Sequence, residues 1–360
     1  MQILDRVLGR CHIESLIGEG SSAQVFKGFH QTLGLPVAVK VLRTNPQTIP
    51  TAEHASFQER FRREAKLAAR LNHEGIVRVI DFGEDMGLLY LVMEYVNGSS
   101  LLEYLRRESP LNERLAMKIM AYLASALHVA HAQNIIHRDL KPSNILITKT
   151  GQLKISDLGL AKDLAQMDIT MANSAMGTPT YMAPECFSAG KAAGPESDIY
   201  SLGIMLYEML LGRPPFTGSL NQVLSGHLQG ELTFGGEFHG TANQLSPFIK
   251  NLLKAMLAKK PQDRIQSCLD LKRVCKARIA EMSGAPAAPF KAGKANLPEA
   301  RQESSTFKKI SQVLENKLGS KVSEYQGQTV MHTTLRERVV IWTLLVMFVG
   351  GCGAAYFYLN

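Results

Sequence analysis

The sequence lacks the cysteine pattern of a cross-linked or zinc-binding protein. Its five cysteines are an odd number, and no two of them form a Cys-x-x-Cys pair. They are Cys11, Cys186, Cys268, Cys275 and Cys352. Scattered thiols indicate a reducing compartment and argue against a disulfide framework or a zinc site. The first ten residues also lack an apolar core and a small-residue cleavage site, so no secretory signal peptide is expected.

Low-complexity and disordered classes are excluded by composition. The chain has 29 glycines and 15 prolines in 360 residues, without a repeat, and 45% of its residues are hydrophobic. That fraction supplies a real core. The length corresponds to about two domains of roughly 150 residues each.

A formal net charge of +8 favours an anionic partner, which composition alone leaves open between nucleic acid and a membrane surface. The C-terminal region favours the membrane, because residues 339–358 contain no charge. A helix of that length is about 30 Å long, the thickness of the bilayer hydrocarbon. The flanking Arg336 and Arg338 predict a cytoplasmic N-terminal side. A buried hydrophobic helix is the alternative.

Composition divides the rest of the chain. Residues 1–9 form a short stub, and residues 10–281 show the apolar periodicities of folded structure. Residues 282–338 read as a linker, because residues 283–305 are rich in Pro, Ala, Ser and Lys and poor in branched apolar residues. Within it, residues 307–318 fit either a short amphipathic helix or a frayed surface helix.

A glycine-rich turn occupies residues 17–25, between two apolar stretches. Glycine lets a backbone approach phosphates closely, although a tight hairpin without a ligand has the same pattern. No GK[ST] follows, which excludes a P-loop.

A lysine and a glutamate follow in apolar surroundings. Lys40 interrupts an apolar strand at 37–42, and a partly buried lysine needs an anionic partner. On the predicted helix 57–71, Glu64 falls in the middle of an apolar stripe. We therefore expect Glu64 to pair with Lys40. The alternatives are an edge lysine and a loosely docked helix with Glu64 near its rim.

Two polar clusters follow predicted strands or loops. Asp139 and Asn144 lie in the segment 135–147, and Asp157 follows a strand and precedes a glycine. Asp157 and Asn144 supply the oxygen ligands that Mg²⁺ prefers, and Asp139 could accept a proton from a hydroxyl. An aspartate taken singly is more often a turn residue or a helix cap than a catalytic residue.

In their order, these motifs resemble the signature set of eukaryotic-type (Hanks-type) serine/threonine protein kinases of the bacterial kind. The set is completed by HRDLKPSN at 137–144, DLG at 157–159 and GTPTYMAPE at 177–185. The resemblance implies an α+β bilobal fold. A small β-rich N-lobe with one main helix would span about residues 10–96, and a larger helical C-lobe about 97–281.

The implied chemistry is transfer of the ATP γ-phosphate to Ser/Thr hydroxyls of proteins. Asp139 would be the proton acceptor, with Lys40 and Lys141 as further catalytic residues. Asn144 and Asp157 would hold Mg²⁺, with Mn²⁺ as a substitute. The implied ATP-binding residues are Ile17, Gly18, Glu19, Gly20, Ser21, Ser22, Ala23, Val25, Ala38, Lys40, Glu64, Met93, Glu94, Val96 and Leu146.

Regulation and scaffolding follow from the same resemblance. Thr170 and Ser174 are the expected autophosphorylation sites of the activation loop. The implied structural residues are Thr178, Glu185, Asp198 and Arg264. Two positions depart from the family pattern, since Ala23 occupies the third glycine position and Leu158 replaces the usual phenylalanine after Asp157.

The expected partners are protein substrates, the membrane through residues 339–358, and a second copy for trans-autophosphorylation, with no nucleic acid. The alternatives are a pseudokinase scaffold, a small-molecule phosphotransferase and a membrane adaptor. The presence of Lys40, Asp139, Asn144 and Asp157 argues against the first. The GTPTYMAPE segment argues against the second, and the short tail against the third.

Overall fold

The computed structural model describes most of the chain up to residue 284. The described residues are 3–20, 23–42, 51–158, 179–187, 193–234 and 245–284. The predictions for Ser21, Ser22, Thr170, Ser174, Thr178, residues 285–338 of the linker and the apolar segment 339–358 lie outside these ranges. Among the described residues, no helix combines the length and apolar character needed to cross a membrane.

The first lobe is an antiparallel sheet with one long helix. The six strands lie in the order β1-β2-β3-β4-β6-β5, so most neighbours along the chain are also neighbours in space. The strands are β1 (Val7–Leu8), β2 (Cys11–Glu19), β3 (Ala23–His30), β4 (Leu35–Leu42), β5 (Val79–Asp85) and β6 (Leu88–Glu94). The helix, α1 (Thr51–Ala69), lies in the chain between β4 and β5.

Helix α1 and the residues just after it bury one apolar stripe. Phe61, Ala68 and Leu71 of the predicted stripe are each at most 4% exposed, and Ala65 is fully buried beside them. Glu64 is half-buried next to this stripe, and its Oε2 atom is buried. The helix contacts the sheet at β5.

A small second sheet begins the helical lobe. Its strands are β7 (Gly98–Ser100), β8 (Ile145–Thr148) and β9 (Leu153–Ile155), joined antiparallel in that order. A side chain at Gly98 would be impossible without movement, because an added Cβ would meet the carbonyl oxygen of Ile147.

The remaining helices surround a single apolar core. Helix α4 is buried on nearly all sides, which explains why its sequence shows no polar face. The helices are α2 (Leu101–Glu108), α3 (Glu113–His131), α4 (Pro195–Leu211), α5 (Leu220–Gln229), α6 (Pro247–Met256) and α7 (Cys268–Glu281). The expected β-rich lobe with one main helix, followed by a larger helical lobe, is confirmed.

Candidate active site

A buried aspartate holds the loop that follows α3. The Asp198 carboxylate is on α4 and is fully buried. It accepts the backbone N–H groups of His137 at 2.9 Å and Arg138 at 3.0 Å, and His131 Nε2 lies 2.8 Å from it. Three polar contacts compensate for the burial of its charge. The loop geometry therefore depends on a residue about 60 positions further along the chain.

Asp139 lies next in this loop with its carboxylate accessible. Its side chain is 31% exposed, and Oδ2 lies 2.9 Å from Lys141 Nζ. Asn144 Nδ2 donates to the same oxygen at 3.2 Å and to the Asp139 carbonyl at 2.8 Å. The two donors orient the carboxylate. An accessible, oriented carboxylate of this kind can accept a proton from a hydroxyl.

Asp157 completes the cluster from the end of β9. Asn144 and Asp157 are brought together because Ser156 N–H donates to the Asn144 carbonyl at 2.9 Å. Burial by itself raises the pKa of the Asp157 carboxyl, but Lys40 outweighs it and holds the pKa below its ordinary value. Asp157 is therefore an anion at neutral pH.

Lys40 has a carboxylate partner at the end of β9. Lys40 Nζ forms an ion pair with Asp157 Oδ1 at 2.5 Å, and the pairing of Lys40 with Glu64 stays a prediction. The lysine side chain is only 13% exposed, so its charge needs an anion nearby. Asp157 provides such an anion from the end of β9.

Six residues of the implied ATP-binding set form one apolar cluster. Ala23, Ala38 and Met93 are buried together, with Val25, Val96 and Leu146 partly buried against them. The register explains the grouping, because Ala38 lies opposite Met93 and Val25 lies opposite Lys40 across neighbouring strands. Because Val25 lies opposite Lys40, the apolar cluster borders the ion pair of Lys40 and Asp157.

The glycine-rich turn between β2 and β3 closes through Gly20 N–H, which donates to the Ala23 carbonyl at 2.9 Å. A Cβ at Gly18 or Gly20 would meet its nearest neighbour at 3.6 Å, which is an ordinary contact. The protein's own packing therefore does not require glycine at either position. Ile17 is 47% exposed, and Glu19 accepts from Gln24 at 3.3 Å.

The donor set at Asp157 and Asn144 fits Mg²⁺. This ion is usually bound by one or two carboxylates together with phosphate oxygens and water, rather than by an all-protein cage. The described residues contain no group of three or more His, Cys, Asp or Glu side chains that would form such a cage. The Asp157 carboxylate and the Asn144 amide therefore suit a Mg²⁺ ion whose remaining ligands are phosphate oxygens and water.

A buried ion pair supports the segment 179–187. Arg264 donates to both oxygens of Glu185 at 2.7 Å, and Ser197 Oγ donates to Glu185 Oε1 at 2.7 Å. The Arg264 side chain is fully buried and Glu185 is 7% exposed. The family resemblance implied a structural role for both residues, and the structure brings them together.

Three polar groups near these sites were not predicted from the sequence. Lys154 contacts Glu94 at 2.7 Å, and Tyr181 donates to Glu208 at 2.7 Å. His227 is fully buried beside Tyr200, whose hydroxyl lies 2.9 Å from His227 Nδ1. Of these groups, only Lys154 could have been noticed in the sequence, because it is an isolated lysine between two apolar residues of the strand 153–155.

Comparison with known proteins agrees with this geometry. Residues 11–276 match the protein kinase domain family. The chain is 39% identical over 272 residues to the serine/threonine-protein kinase PrkC of Bacillus subtilis, covering 75% of this chain and 41% of that protein. It is 44% identical over 215 residues to PknA of Mycobacterium tuberculosis (58% and 48%), and 37% identical over 270 residues to PknB of Mycolicibacterium smegmatis (73% and 42%).

The chain belongs to the protein kinase family. More narrowly, its domain is a protein kinase domain of the bacterial serine/threonine type. The chain spans less than half the length of these relatives.

Proposed function

We propose that this chain is an ATP-dependent serine/threonine protein kinase. The observation that carries the proposal is the cluster of Asp139, Lys141, Asn144 and Asp157 beside an apolar pocket. Its accessible carboxylate, its ammonium groups and its metal-binding oxygens match the parts that phosphoryl transfer requires.

Asp139 is the group that receives a proton. Its Oδ2 atom, oriented by Lys141 and Asn144, accepts the proton of a Ser or Thr hydroxyl as that oxygen attacks phosphorus. Lys141 lies 2.9 Å from the same carboxylate and can neutralise charge on the transferred phosphoryl group. Its position in DLKPSN favours serine and threonine over tyrosine.

Asn144 and Asp157 would hold Mg²⁺. When bound, this ion would neutralise negative charge on the phosphates. Lys40 contacts Asp157 and is therefore within reach of phosphates placed against that carboxylate. The pocket around Ala38 and Met93 excludes water from a purine. These roles follow the catalytic parts of protein kinases.

The proposal extends to a membrane-tethered enzyme that phosphorylates itself. The uncharged segment 339–358 and its basic flank support a single membrane span, with the kinase domain on the cytoplasmic side, where ATP is found. Tethering raises the effective concentration of a second copy, which favours trans-autophosphorylation at Thr170 and Ser174. Fractionation without detergent, and mass spectrometry of active protein, test these two parts separately.

The catalytic proposal is tested by Asp139→Asn. We expect kcat for phosphate transfer to a protein substrate to fall by about 10²- to 10⁴-fold, because the general base is lost, with little change in the KM for ATP. Asp263→Asn, at an exposed carboxylate in the Pro261–Asp263 turn, is the matched control. Transfer at the wild-type rate by Asp139→Asn would refute the assignment.

A further inference from the structure

An ion pair joins the two lobes behind the apolar pocket. Lys154 Nζ donates to Glu94 Oε1 at 2.7 Å, and the same oxygen accepts the backbone N–H of Arg78 at 2.9 Å. The Glu94 N–H in turn donates to the Arg78 carbonyl at 3.0 Å. The Lys154 side chain is 14% exposed and that of Glu94 is 31% exposed. This contact is therefore partly shielded from water and strengthened by a second donor.

Glu94 lies where the chain passes from the first lobe to the second. It is the last residue of β6, and residues 95–97 connect the six-stranded sheet to β7 of the second sheet. Lys154 is the middle residue of β9, in the second sheet. The ion pair thus spans the connection between the lobes. Backbone bonds from Val77 N–H to Ile155 O and from Ile155 N–H to Gly75 O, both 2.8 Å, lie beside it.

The side chain of Glu94 projects away from the pocket. Met93 and its cross-strand neighbour Ala38 belong to the pocket cluster. Glu94 lies opposite Val37, which is buried in the separate cluster on the other face of the sheet. Because neighbouring residues of a strand point to opposite faces, only the backbone of Glu94 faces the pocket side.

We propose that Lys154 is a positioning residue, which fixes Glu94 so that the backbone of residues 94–96 presents its hydrogen-bonding groups to the purine of ATP. The inference rests on the proposed function, since it concerns the nucleotide of that same site. Without Lys154, the Arg78 N–H is the one donor to the Glu94 carboxylate that remains among the described residues, and the connecting segment gains freedom that nucleotide binding must then remove.

The chain provides a matched control for the loss of such an ion pair. Arg278 Nε donates to Glu113 Oε1 at the same distance, 2.7 Å, and the two side chains are 22% and 23% exposed. This pair joins α7 to α3 within the helical lobe, away from the connection between lobes. Arg278→Met therefore reports the general effect of removing a half-buried cation.

The test compares Lys154→Met, Lys154→Arg, Glu94→Gln and Arg278→Met in the full chain. The measured quantities are kcat, the KM for ATP, the KM for a protein substrate and the dissociation constant of adenosine, which carries no phosphate. We expect Lys154→Met and Glu94→Gln each to raise the KM for ATP and the adenosine dissociation constant about fivefold. That is a typical effect of losing one charge-assisted hydrogen bond when another donor, here the Arg78 N–H, remains. Changes in kcat and in the KM for protein should be smaller.

Lys154→Arg should restore adenosine binding because it keeps the charge, and Arg278→Met should leave it unchanged. Equal effects of Lys154→Met and Arg278→Met would overturn the proposal in favour of a general loss of stability. Tighter adenosine binding in Lys154→Met would also overturn the proposal, because the ion pair would then hinder nucleotide binding instead of supporting it. If the wild-type chain binds neither ATP nor adenosine, the proposed function itself fails, which is a distinct result.

Discussion

The buried pair of Glu185 and Arg264 should dominate the stability of the helical lobe. Arg264 donates to both carboxylate oxygens of Glu185 and also to the backbone carbonyls of Ala258, Glu196 and Lys259. In Glu185→Gln the fully buried guanidinium loses its anion while remaining in place. Removing one partner of a buried pair costs about 3–5 kcal/mol. Because the amide oxygen still accepts one bond, we expect the lower figure, about 3 kcal/mol.

Thermal unfolding of the purified protein measures this loss. For a domain of this size each kcal/mol lowers Tm by about 2–4 °C, so Glu185→Gln should melt about 6–12 °C lower. Glu113→Gln is the control, because its partly exposed pair with Arg278 should contribute less, about 1 kcal/mol. Similar Tm losses in the two variants would refute the reasoning that burial decides the contribution.

The same pair predicts a pH dependence of known sign. Burial alone raises the pKa of the Glu185 carboxyl, but the hydrogen bonds from Arg264 and Ser197 hold it below the ordinary value of 4.5. A carboxyl with a depressed pKa stabilises the fold above its unfolded pKa, and this contribution is lost as the pH falls through the folded pKa. The Tm difference between wild type and Glu185→Gln should therefore shrink below about pH 4.5. A difference that stays constant to lower pH would contradict the assignment.

Two further predictions concern single side chains. Asp157→Asn should raise the Mg²⁺ concentration for half-maximal activity by at least about tenfold, because it removes the one carboxylate of the proposed metal site; an unchanged Mg²⁺ titration would contradict this. Burial, and then the charge of Lys259, lower the pKa of His227 to about 4. The unfolded state then binds a proton that the folded state does not, so stability should fall as the pH decreases from 6.5 towards 4. Urea unfolding of wild type and His227→Asn at pH 7 and pH 5 checks this, since the variant should lose less stability on acidification, and equal losses would count against it.

Much of the site could be predicted because its residues are close in sequence. Asp139, Lys141 and Asn144 lie within six positions of one another, and their order relative to Asp157 and Lys40 identifies the family. The β-rich and helical lobes followed from that resemblance. Strand pairing then placed Ala38 opposite Met93, so the residues implied for the purine form one cluster.

The contacts that sequence reasoning missed join distant segments. Lys154 and Glu94 are 60 positions apart, and Tyr181 and Glu208 are 27 apart. Periodicity shows which residues are buried, but it does not show which buried polar groups meet. The same limitation applies to His227, whose neighbours Phe187, Tyr200 and Phe216 come from three separate segments.

The pair of Lys40 and Asp157 shows how contacts between strands place a charge interaction. A nearly buried ammonium requires an anion, and Asp157 supplies one at 2.5 Å. Periodicity suggested only Glu64 as the partner of Lys40, because Glu64 lies on the helix that the sequence places against the strand of Lys40; this pairing stays a prediction. Asp157 comes from a segment more than 100 positions away. It is held near Lys40 because two backbone hydrogen bonds of Ile155 join β9 to the first lobe. The pairing of Lys40 with Asp157 therefore depends on how the two lobes are joined, which local sequence patterns do not show.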